Sequence, residues 1–343
     1  MVRLRRTSPE DPGWTRQRAG RGFSYLDGGG DRLPSDEKER IKALVIPPAW
    51  QDVWITPYPH GHLQAVGTDD AGRRQYLYHP AWRERRDAEK FDRMLAFGGA
   101  LTRAREVVVA DLGQQGMPLE RSCAAAVRLM DLGYFRIGND VYADKHGSFG
   151  LTTLQRRHVR RRGGRLVFDF VGKSGVEHTI EIDDEGVIEA VEVMRRRRGA
   201  DLQLLAYKQA RSWRGLLPPL VNDYVRETTG LEGSAKDFRT WHATVLAAAA
   251  LAQSPEPGHS AASQKRAVVG AMKEVATFLG NTPTVARSSY VDPRVVEAYE
   301  QGRTIEATTR RGYDSPDLRQ AALERAVLRL LKQSPKSTAV SLT

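Results

Sequence analysis

Five side chains suited to one reaction stand at special backbone positions in this sequence: Arg136 in LGYFRIGND, Lys173 in FVGKSGVEH, Arg239 in KDFRTWH, and Asn281 and Tyr290 in LGNTPTVARSSYVDPR. A tyrosine can attack a phosphodiester directly, with neither metal nor nucleotide, but its phenol has an unperturbed pKa of about 10 and is protonated at neutral pH. Attack therefore needs cations that stabilise the charge developing on the phosphate and on the phenolate, and an acid for the departing sugar oxygen. Two arginines can clamp the non-bridging oxygens with forked donors, while a lysine can be the acid. Taken singly, each residue also has an ordinary reading. Arg136 and Lys173 can be surface cations, Arg239 a partner of the nearby Asp237, Tyr290 a packed aromatic, and Asn281 a residue capping a helix after Gly280.

Other chemistries find no support. The sequence lacks a G-x-x-x-x-G-K-[ST] loop, an H-E-x-x-H pair and any cysteine pair, and its acidic clusters GTDDAG and EIDDEG read as turns. The one cysteine, Cys123, cannot form an intramolecular disulfide, and in the helical stretch RSCAAAVRLM it reads as a small core residue.

The elements that must position these groups can be read from periodicity. A chain of 343 residues suggests two unequal domains. Residues 1–22, rich in Arg, Pro and Gly, read as a flexible basic arm. Residues 23–88 carry short β-branched and aromatic runs broken by Pro, Gly and DDAG, which predicts a small β-rich domain. Residues 89–343 show mainly helical periodicity. Arg136 falls where one helix ends, and Arg239 near the start of another. An island of strand text, RLVFDFVGKSGVEHTIEI, predicts two strands around the turn Gly172-Lys173-Ser174-Gly175, with VIEAVEVM as a possible third. Helices are expected at DLQLLAYKQARSW and at five later stretches, separated by the Ser/Pro/Gly linker QSPEPGHSAAS and followed by a frayed tail SPKSTAVSLT.

With 53 Lys+Arg against 42 Asp+Glu, the formal charge of +11 favours a polyanionic partner. The Arg-dense stretches QRRHVRRRGGR and VMRRRRGAD fit phosphate contact better than a merely solubilising face. The longest apolar run, ATVLAAAALA, is about half of what a membrane span needs, and the N-terminus has no apolar signal segment, so a cytoplasmic, nucleoid-associated protein is expected.

In order along the chain, GRRQYLYH, YFRIGND, GLTTLQRRHV, FVGKSGVEH, KDFRTW and LGNTPTVARSSY resemble the motifs of short type IB DNA topoisomerases of bacteria and poxviruses. The resemblance implies an α+β protein in which a β-rich N-terminal domain and a mainly helical catalytic domain form a clamp on duplex DNA. It implies Tyr290 as the nucleophile of a 3′-phosphotyrosyl intermediate, Arg136 and Arg239 holding the scissile phosphate, and Lys173 as general acid. Asn281 falls where the family often has histidine. Arg73, Arg74, Gln75, Tyr76 and Tyr78 fall in the family's DNA-contacting stretch. Alternation along that stretch places Gln75, Leu77 and His79 on one strand face and Tyr76 with Tyr78 on the other. The implied enzyme relaxes supercoils as a monomer, without ATP, a small-molecule cofactor or an essential metal. A tyrosine recombinase and a non-catalytic DNA-binding protein remain the alternatives, although KDFR has lysine where recombinases usually carry histidine.

Overall fold

The computed structural model describes residues 3–138, 147–254 and 260–333. The tail at 334–343 and the middle of the Ser/Pro/Gly linker, 255–259, lie outside the described residues, as do Asn139 and Asp140 of the first arginine motif. The chain is α+β and divides into two compact units between Asp92 and Arg93.

The first unit is a five-stranded antiparallel sheet in the order β2-β1-β3-β4-β5, built from β1 (Trp14–Ala19), β2 (Gly22–Leu26), β3 (Gln51–Ile55), β4 (Leu63–Thr68) and β5 (Arg74–Tyr78). Helix α1 (Ser35–Ala43) supplies Ile41 to a core of Leu33, Ile46, Val53, Ile55 and Ala65, against which Trp14, Trp50 and Leu77 pack. Acidic Asp36 and Glu37 in its first turn and basic Arg40 and Lys42 in its last complement the helix dipole.

The expected flexible arm is corrected here. Leu4 is buried, the Arg5 and His62 amides bond the carbonyls of His60 and Arg5, and β1 pairs with both β2 and β3. Charge density disguised this strand. The Arg16 guanidinium reaches the carbonyl oxygens of Ile46, Pro47 and Trp50 at 3.3, 3.1 and 2.5 Å, acting as a backbone bracket rather than a solvated charge.

Helix α2 (Pro80–Leu112) runs across the division in sequence, and the second unit continues with α3 (Leu119–Gly133) and a sheet of β6 (Val159–Arg162), β7 (Arg165–Val171) and β8 (Glu177–Ile182). Next come α4 (Glu185–Arg196), the hairpin β9 (Ala206–Gln209) and β10 (Ser212–Gly215), α5 (Pro218–Thr229) and α6 (Ala235–Ala252). The unit closes with α7 (Ala261–Leu279), α8 (Pro283–Ser289), α9 (Pro293–Glu300), α10 (Glu306–Thr309) and α11 (Pro316–Lys332). Its centre is α6, whose Trp241 is fully buried and lies so close to α2 that a Cβ on Gly98 would come within 2.4 Å of the indole.

Two expected elements take other forms. VIEAVEVM is helical, because the Asp184 carboxylate caps α4 by accepting from the Val187 amide at 3.0 Å, and Val187, Ile188, Val191 and Met194 repeat at helical spacing on its buried side. The third strand is instead β6. DLQLLAYKQARSW forms β9 and part of β10, with Ala210 at φ 52° in the two-residue turn between them.

Candidate active site

The site is organised around the carboxyl end of α7. There the chain leaves the helix through Gly280 at φ 58°, with the Gly280 amide bonded to Thr277 O at 3.2 Å and the Asn281 amide to Ala276 O at 2.9 Å. This is a Schellman turn, a conformation glycine adopts without steric cost. Thr282 then caps α8, accepting from the Val285 amide, and Pro283 opens the helix. Helix α8 lasts seven residues and delivers Tyr290 at its end, where the Tyr290 amide bonds Ala286 O at 3.1 Å. Thr244 of α6 fixes this exit: its hydroxyl donates to Tyr290 O at 3.3 Å and accepts from the Asp292 amide at 3.1 Å.

Two arginines converge on the same turn. Helix α3 ends with Tyr134 in the left-handed conformation, which sends the following residues, Arg136 among them, towards α7. The Arg136 guanidinium donates to Leu279 O at 3.3 Å, Gly280 O at 3.0 Å and the Asn281 side-chain carbonyl. Arg239, buried one turn into α6, donates to Leu279 O at 2.6 Å and to Tyr134 O. The negative end of the α7 dipole helps hold both cations.

Among the described residues, neither arginine pairs with a carboxylate. Burial lowers the pKa of Arg136, and burial followed by the charge of Arg136 brings Arg239 down to about 10, so Arg239 remains protonated at neutral pH. Two further polar atoms, Arg239 Nε and Asn281 Nδ2, are buried without a hydrogen-bond partner among the described residues. Cationic charge and unused donors at one place suit a phosphate anion.

Tyr290 is half-buried beside them, with the Arg239 guanidinium carbon 5.5 Å from its ring centroid. Burial alone would push the phenol up. The charges of Arg239, then Arg136 and Lys236, more than reverse this, and the net pKa lies below the ordinary value. Lys173 occupies the exposed turn between β7 and β8 and shares the wall of a cavity of about 430 Å³ with Arg136, His178 and Arg239. Of the five expected site residues, Arg136, Arg239, Asn281 and Tyr290 thus cluster at one helix end, and Lys173 joins the two arginines at the cavity. Sequence reasoning missed Lys236, which lies one turn before Arg239 on α6, and His178, five residues beyond Lys173.

In the first unit, β5 is an edge strand. Tyr76 and Tyr78 share a face, their rings stacked at 6.2 Å and 17°, while Leu77 packs on the core. Arg73, Arg74 and Tyr76 are exposed, and the Asp69 carboxylate pairs with Arg73 at 2.7 Å and holds Gln75 at 2.9 Å. The Arg-dense stretches divide between two uses. Arg156 and Arg197 spend their guanidiniums on backbone carbonyls, Arg197 being buried against Met194 O and Leu204 O, whereas Arg160, Arg161 and Arg162 are exposed on β6. Among the described residues no cluster of His, Cys, Asp and Glu could hold a metal ion, and no helix is long and apolar enough to cross a membrane.

Residues 79–312 match the model of the eukaryotic DNA topoisomerase I catalytic core, and residues 22–69 match that of the bacterial DNA topoisomerase IB N-terminal domain. The chain is 28% identical over 285 residues to DNA topoisomerase 1B of Acanthamoeba polyphaga mimivirus, covering 81% of this chain and 84% of the relative. It is 22% identical over 295 residues to DNA topoisomerase 1 of Rabbit fibroma virus, covering 81% of this chain and 89% of that protein.

Proposed function

This chain belongs to the type IB DNA topoisomerase family, whose members are isomerases, and from that premise we propose that it relaxes supercoiled duplex DNA through a transient phosphodiester exchange at Tyr290. Tyr290 loses its phenolic proton to water, its oxygen attacks the scissile phosphorus, the bond to the 5′-oxygen breaks, and Lys173 supplies the proton that this oxygen takes up. The product is a 3′-phosphotyrosyl bond and a free 5′-hydroxyl strand. Rotation of that strand releases supercoils, and attack by the 5′-hydroxyl reverses the chemistry. The bond energy is conserved in the protein–DNA linkage, so ATP is not required.

The observation that carries this reading is a half-buried Arg136 and a buried Arg239, neither with a carboxylate partner among the described residues, beside a phenol whose pKa they depress. Arg136 and Arg239 are the clamp on the non-bridging oxygens, where charge develops in the transition state. The Asn281 amide nitrogen, without a partner among the described residues, supplies a neutral donor to the same phosphate. Arg73, Arg74, Gln75, Tyr76 and Tyr78 are assigned to DNA contact, with Arg74 and Tyr76 the more available side chains. The test is relaxation of a supercoiled plasmid by the purified protein alone, without ATP. Ladders of relaxed topoisomers support the reading, whereas DNA binding without any change of linking number sinks it.

A further inference from the structure

The imidazole of His178 lies wedged between the two backbone segments that carry the proposed acid and the proposed neutral donor. A Cβ at Gly172 would come within 2.6 Å of His178 Cδ2, and a Cβ at Gly280 within 2.7 Å of its Cε1. One ring thus fills the notch between the residue before Lys173 and the residue before Asn281. On its other side it stacks on Phe170, with centroids 5.1 Å apart at 24°.

The two flanking segments differ in how firmly they are held. The α7 end is fixed by its Schellman bonds and by both arginines on the Leu279 and Gly280 carbonyls. The turn carrying Lys173 has the Gly172 amide on Val176 O at 2.7 Å and the Gly175 amide on Gly172 O at 3.2 Å, and Lys173, Ser174, Gly175 and Val176 are all exposed. Contact with the α7 end therefore reaches this turn through His178.

We propose that His178 is a positioning residue that sets the hairpin, and with it Lys173, against the α7 end, acting by ring shape rather than by proton transfer. The inference rests on the reading of Lys173 as the acid. A displacement of about 1 Å at a reacting group can cost about a hundredfold in rate, so His178→Ala should slow strand cleavage by about ten- to a hundredfold.

The test compares single-turnover cleavage of a duplex with an ordinary 5′-oxygen at the scissile phosphate and one with a bridging 5′-sulfur. With sulfur, the bond from Tyr290 oxygen to phosphorus forms, the phosphorus–sulfur bond breaks, and the sulfur departs with the electron pair as a thiolate that needs no proton. His178→Ala should be slow on the oxygen duplex and within about threefold of the parent on the sulfur duplex, and His178→Phe, which keeps the ring, should stay near the parent on both. Equal slowing of His178→Ala on both duplexes, parent-like cleavage of the oxygen duplex by His178→Ala, or a His178→Phe variant as slow as His178→Ala would each overturn the proposal. Lys173→Ala separates it from its premise: if sulfur does not rescue that variant, the acid assignment itself fails and the inference falls with it.

Discussion

The Arg239 guanidinium carbon sits 5.5 Å from the centroid of the Tyr290 ring, and its charge leads the effect that holds the half-buried phenol below its ordinary pKa. Burial works in the opposite sense. Cleavage should therefore rise with pH as the phenol ionises, with an apparent pKa below 10, and Arg239→Ala should move that rise to higher pH because burial is then less opposed. At neutral pH the variant should lose about a hundred- to a thousandfold, the usual cost of removing one preorganised donor. The check is a single-turnover pH–rate profile of both proteins, and an unshifted profile in Arg239→Ala would contradict the coupling.

Asn281 presents its carbonyl to Arg136 and leaves its amide nitrogen buried without a partner among the described residues. Asn281→Ala should lower the cleavage rate by about a hundred- to a thousandfold, whereas Asn281→His, which restores one nitrogen donor, should stay within about tenfold of the parent. Cleavage by Asn281→Ala at the parent rate would remove the residue from the phosphate.

Behind the site, the buried Asp131 carboxylate accepts from Arg105 at 2.7 Å and faces His242 at 3.0 Å, while Arg105 also bonds Glu324 of α11 at 2.7 Å. Burial would raise the Asp131 pKa, but Arg105 and His242 outweigh it and hold the group far below the usual carboxylate range. A depressed folded pKa means the stabilisation is complete above the unfolded value of about 3.9 and is lost as the pH falls below it. Asp131→Asn should destabilise the protein by about 1.5–3 kcal/mol at neutral pH, since it removes a charge-assisted hydrogen-bond partner while Arg105 keeps Glu324. Thermal unfolding between pH 7 and pH 3 should show a steeper loss for the parent than for the variant, and parallel curves would refute the assignment.

On β5, Arg74 is exposed. If it meets one phosphate, Arg74→Ala should weaken duplex binding at all sequences and reduce the slope of log K against log salt by about 0.9. Titrations at several salt concentrations measure this, and an unchanged slope would take Arg74 off the backbone.

The proposed catalytic cluster is legible in the sequence because its members stand where the chain changes direction: a helix end at Arg136, a hairpin tip at Lys173, the glycine turn before Asn281. Those signals are local, so sequence spacing carried them. The strand at 14–19 was hidden because Arg16 is spent on three carbonyls that only the folded sheet brings together. The stretches at 187–194 and 201–213 were assigned the wrong period because short apolar runs fit both strand and helix. What decided them was the Asp184 cap in one case and the turn at Ala210 in the other. His178 escaped notice because its role comes from two glycines, Gly172 and Gly280, that lie 108 positions apart in the sequence.

The central claim is that the Tyr290 oxygen becomes covalently joined to DNA. The direct measurement uses a duplex whose 5′-strand is lost after cleavage, so that the adduct accumulates, with detergent added to trap it and denaturing electrophoresis to display it. The parent protein should shift to a slower-migrating protein–DNA species attached at a 3′-phosphate, and Tyr290→Phe, folded and still binding the duplex, should give none. A covalent adduct formed by Tyr290→Phe would contradict the account.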